Sequence, residues 1–76
     1  MNHDRHRILQ AAVDAGGSYS ISGLSLRDMV LMADVVLTMR TAGLVKSRIL
    51  FEDKQPKIIP VAVTAAGRRA LANRTG

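Results

Sequence analysis

The residues best suited to chemistry in this chain are its cations, and their placement is uneven. Residues 1–39 carry three Arg against four Asp, a net of −1, whereas residues 40–76 carry eight Lys or Arg against Glu52 and Asp53, a net of +6. A polyanion is the natural partner of such a surface. Nucleic acid ranks ahead of membrane, because no basic amphipathic helix stands out; solubility alone is the plain alternative. Lys54 sits where a polar turn is expected, so it either reaches a phosphate or keeps a hairpin soluble. Arg68 and Arg69 open a helix whose dipole disfavours them there, which implies either a use for the charges or pairing with Glu52 or Asp53.

Other chemistry is poorly supplied. His3 and His6, with Asp4 nearby, are spaced to share a metal at a helix start, but further ligands are missing, and no metal or cofactor is expected. No Gly-rich phosphate loop and no grouping of nucleophile, base and oxyanion donor can be named, so the chain reads as a non-enzyme. Cysteine is absent, which removes disulfides and thiolate chemistry. Tyr19 and Phe51 are the only aromatics, too few for a base-stacking platform. The first residues are charged, and the densest apolar run, residues 29–37, carries Asp34 and is too short for a membrane span. The expectation is a cytoplasmic protein of one domain spanning residues 1–76, with 1–4 and 74–76 frayed.

Periodicity supplies the elements that must position these groups. Asn2 can cap a first helix running to about Ala15, with Ile8, Leu9, Ala12 and Val13 on one stripe, and Gly16-Gly17 stops it. Residues 18–21 alternate as a short strand, and Ser25 caps a second helical stretch with Asp28 three residues on. Across residues 26–42 there is no Gly or Pro to force a break. Gly43 then closes the helix, and Leu44 or Val45 can fold back on its last turn. Val45, Ile49 and Phe51 alternate with Lys46, Arg48 and Glu52. After a polar turn at 52–56, Ile59, Val61 and Val63 repeat the period of two. Thr64 caps a last helix over 65–73.

Two segments carry a family resemblance: Met39-Arg40-Thr41-Ala42-Gly43-Leu44-Val45, and Val63-Thr64-Ala65-Ala66-Gly67-Arg68-Arg69-Ala70-Leu71, which is similar to an L-T-x-x-G-R-x-x-L strand-to-helix junction. In their order and separation, over about residues 6–72, they resemble the winged helix-turn-helix domains of small bacterial regulators of the MarR, PadR and ArsR type. The resemblance implies an α+β fold with a three-helix core, a two- to three-stranded hairpin wing and a short C-terminal helix. It also requires a break near residues 30–33 that divides helices two and three. In those families the third helix lies in the major groove and the wing touches the backbone or minor groove.

Carried onto this chain, the resemblance turns Met32, Val36 and Met39 inward and Leu31, Asp34, Val35 and Thr38 outward. Met29, Met32 and Met39, at helical spacing, read as core ahead of an adaptable binding surface. The outward face is more apolar than a base-reading helix, and Pro60 interrupts the expected middle strand, so one side of it should be unpaired and the first strand short or missing. Two functions follow. The first is a homodimeric regulator that binds double-stranded DNA through Thr38, Arg40, Thr41, Lys46, Arg48, Lys54, Lys57, Arg68 and Arg69. The second is a winged-helix adaptor or inhibitor, of a kind also used by mobile elements, whose third helix docks on a protein partner through Leu31, Val35 and Leu37.

Overall fold

A computed structural model describes residues 2–73. The order of elements is α1 (Asn2–Asp14), β1 (Ser18–Ile21), α2 (Leu26–Thr41), β2 (Val45–Lys46), β3 (Leu50–Glu52), β4 (Gln55–Val63) and α3 (Ala65–Asn73). The chain is thus an α+β protein with three helices and a four-stranded antiparallel sheet. Strand β4 is its hub: β1 lies along one side, from Ser18 opposite Ala62 to Ile21 opposite Ile59, and β2 and then β3 lie along the other. Ile59 and Val61 on β4 turn inward with Ile21 and Val45, and they meet Ile8, Leu9 and Ala12 of α1 and Met29, Ala33, Val36 and Met39 of α2. The α1 stripe and the period of two in the last strand are as the sequence implies.

Three expectations are corrected. The chain from Leu26 to Thr41 is one uninterrupted helix, so there is no division near residues 30–33, and the three-helix core with a further C-terminal helix becomes three helices among the described residues. Without Gly, Pro or a polar cluster inside it, nothing stops the propagation of hydrogen bonds along this segment. The buried stripe is Met29, Ala33, Val36 and Met39; Val35, expected outward, is half-buried on the core. At the N-terminus, residues 2–4, expected to fray, belong to α1, while Met1 and residues 74–76 lie outside the described residues. Strand β1 is short, as expected, at four residues, and it pairs across Pro60.

Pro60 does interrupt the sheet, but on the other side. Val63 N–H donates to Gly17 O at 2.9 Å and Thr64 N–H to Leu44 O at 3.1 Å, so odd residues of β4 bond toward β1 and even ones toward β2. The missing N–H of Pro60 therefore faces β2, where Arg48 would be its partner. That explains why β2 ends at Lys46 and why pairing resumes only at Leu50. The register then shifts between Leu50, opposite Ile58, and Phe51, opposite Pro56, which leaves Lys57 as the extra residue of a bulge. At the hairpin tip Asp53 and Lys54 have φ of 54° and 64°, the left-handed pair a type I′ turn requires, so the turn is two residues and the strand restarts at Gln55.

Both helix ends that flank the sheet are tightly specified. Ser25 Oγ accepts from Asp28 N–H at 3.2 Å at the start of α2. At its end Gly43, with φ of 79°, lets Gly43 N–H reach Arg40 O and Leu44 N–H reach Met39 O, each at 3.0 Å, a Schellman closure.

Candidate nucleic-acid interface

Arg40 extends from the last turn of α2, and its Nη1 donates to the Ser47 carbonyl at 3.2 Å. It thereby ties the helix to the segment that Pro60 leaves without a strand partner. Lys46 is held by its pairing with Ala62, in one cross-strand row with Ser18. Lys46 and Arg48 rim a shallow groove on the outer face of the sheet, floored by Pro60 and Ala62 and bounded on its far side by Ser18 and Ser20. No carboxylate lines this groove. Ser47 also lines it, and its shielded Oγ has no hydrogen-bond partner.

Lys54 stands at the hairpin tip and Lys57 at the bulge, both exposed. Arg68 points back from α3 toward the start of β1: a Cβ built on Gly17 would sit 3.3 Å from its Nη2. Arg69 is exposed on the same helix. Among the described residues, neither arginine forms an ion pair with Glu52 or Asp53. The nine residues expected on a DNA surface therefore separate into a sheet-and-hairpin group (Arg40, Lys46, Arg48, Lys54, Lys57), an α3 group (Arg68, Arg69) and two threonines on α2.

Those threonines are differently disposed. Thr38 Oγ1 donates to Asp34 O and Thr41 Oγ1 to Leu37 O, each at 3.0 Å. Their single protons serve their own helix, and only lone pairs remain for a base edge. Asp34 stands exposed beside Thr38 and repels phosphate.

Of the three residues expected at a protein interface, Leu31 is 55% exposed and Leu37 38%, whereas Val35 is largely withdrawn into the core. Leu31 lines a groove with Leu24, Met32 and residues of α1 and β1. Leu24 lines a second groove as well, with Leu26, Pro56 and Ile58. Exposed Leu24, Leu26, Val30, Leu50 and Ile58 were not singled out by the sequence pattern. Phe51, expected on the face of Val45 and Ile49, is 61% exposed, because the bulge and the break at residues 47–49 separate it from that alternation.

Compared with known protein families, characterised proteins and solved structures, the chain shows no significant match.

Tyr19 is the one described group with a clear electrostatic signature. Partial burial against the core raises the pKa of its phenol, because the phenolate would lose hydration. Among the described residues no set of three His, Cys, Asp or Glu is grouped to hold a metal ion. His6 is half-buried with its Nδ1 shielded and unpartnered, while the side chains of His3 and Asp4 lie outside the described residues. Among the described residues no helix is long and apolar enough to cross a membrane.

Proposed function

We propose that this protein is a small winged-helix-like DNA-binding protein that engages the duplex backbone from its sheet and hairpin. The observation that carries the reading is the array of Lys46, Arg48, Lys54 and Lys57 along the contiguous β2–β3–β4 segment, joined by Arg40 from the end of α2 and opposed only by Glu52 and Asp53. Phosphate contacts from such a surface position a protein without reading sequence. The order helix, strand, helix, hairpin, with β1 and β2 on either side of β4, is what a winged helix would have if its second and third helices were merged. A regulatory role in a homodimer is the extension of this reading, with α2 beside the groove.

The test is retention of a random-sequence duplex by the purified protein at low salt. Binding that weakens steeply as salt rises supports the proposal, since each released phosphate contact contributes a slope of roughly 0.9 in log K against log salt. No binding at micromolar protein removes it.

A second reading is favoured by a separate observation. Leu26, Val30, Leu31 and Leu37 leave much of α2 apolar and exposed, which suits an adaptor or inhibitor docking on another protein through that helix. Co-purification of a defined partner, lost on changing Leu37 to Glu, supports this reading.

A further inference from the structure

We propose that the outer face of the β1–β4–β2 sheet, and not α2, is the main phosphodiester-binding surface for duplex DNA. This rests on the DNA-binding reading and deepens it by naming the surface. The groove there has Lys46 and Arg48 on its rim and the exposed hydroxyls of Ser18 and Ser20 on its opposite wall. Its floor, Pro60 and Ala62, carries no long side chain, so a sugar-phosphate strand can approach the sheet closely.

The interruption of β2 favours the same face. With no N–H at Pro60 to receive it, the Arg48 carbonyl is not drawn into the ladder, and Arg40 fixes the segment instead by holding Ser47 O. Arg48 is thereby carried on a short, anchored bend beside the groove. The competing surfaces are less suited: Asp34 and the back-bonded Thr38 and Thr41 lie on α2, and Asp28 lines the groove between α1, β1 and α2. Anions meet carboxylates there, whereas no Asp or Glu lines the groove on the β1–β4–β2 face.

The experiment measures binding of a short random-sequence duplex over a salt series by wild type, Lys46→Glu/Arg48→Glu, Ser20→Glu and, as a charge control, Arg27→Glu, which lies at the far end of α2. The expected result is at least tenfold weaker binding by the double variant at low salt, with its slope reduced by about 0.9 per lost contact, and weaker binding by Ser20→Glu than by Arg27→Glu. Circular dichroism checks folding; if the Glu pair disturbs it, Lys46→Gln/Arg48→Gln takes its place. Duplex binding in which Lys46, Arg48 and Ser20 variants behave like Arg27→Glu overturns the sheet-face proposal and leaves the DNA-binding reading intact. Absence of wild-type binding overturns both.

Discussion

Thr64 grips the carbonyl of Leu44 from two directions. Its N–H donates to that oxygen at 3.1 Å, and its Oγ1 lies 2.9 Å from it and 2.6 Å from Gly43 O, while accepting from Gly67 N–H at 3.0 Å. One hydroxyl therefore caps α3 and fastens it to the exit of α2. Thr64→Val, which keeps the shape and removes the hydroxyl, should lower stability by about 1–2 kcal/mol in denaturant unfolding, and Thr64→Ser should recover most of it.

Gly67 packs where a side chain has no room. A Cβ there would overlap the Leu44 carbonyl oxygen and press on Val63 Cγ2, and the obstacle is backbone. Gly67→Ala should cost about 2 kcal/mol or more by thermal melting, despite the better helix propensity of Ala. Gly43→Val meets open space but a φ of 79°, so its cost, about 1 kcal/mol or more, comes from the backbone alone.

Lys54 and Lys57 stand in an exposed turn and bulge, so Lys54→Glu/Lys57→Glu should melt within about 0.5 kcal/mol of wild type. If the hairpin touches DNA, the same variant should lose up to 0.9 log units of salt slope per contact. An unchanged slope takes the hairpin tip out of the interface.

Val35 and Leu37 should now part company. Val35→Glu places a carboxylate against the core and should destabilise by about 1–3 kcal/mol, whereas Leu37→Glu should fold normally. Sedimentation of Leu37→Glu then reports on self-association: a smaller species than wild type identifies α2 as an interface, and an unchanged monomer excludes it.

Tyr19 is the sole tyrosine, so its phenolate absorbance can be followed without ambiguity. Its folded pKa is raised above 10 by burial, so on alkaline titration the unfolded chain loses its proton first. The contribution of the neutral phenol to stability is complete below pH 10 and is lost as pH climbs through the folded value. Tyr19→Phe should flatten that alkaline decline.

The parts of this fold legible in the sequence are those with a local cause. Gly43 and Thr64 announce a helix end and a helix start through backbone chemistry, and both do so in the structure. The stripe of α1 and the alternation of Ile59, Val61 and Val63 follow from one-sided burial. What was not legible is tertiary. Dividing α2 followed from the family resemblance, against a segment whose own residues favour continuity. Pro60 marked an interruption, but which neighbour lost its bond depended on the phase of a pairing set by Gly17 and Val63, far apart in the chain. Among the site residues, Lys46 and Arg48 could be recognised as basic, yet their meeting with Ser18 and Ser20 exists only once β1 lies against β4.

The position of β4 along the chain also bears on how the molecule is made. Every sheet partner, β1, β2 and β3, precedes the strand that joins them. A ribosome delivers β1 before Ile59 and Ala62 exist, so this strand waits with its edges unfilled until β4 has been made. Native assembly must then follow the emergence of Val63, as a late and concerted event governed by closure of the long loop between residues 18 and 62. Nascent chains arrested before that point should be fully sensitive to protease, and protection should arise over a short further length of synthesis.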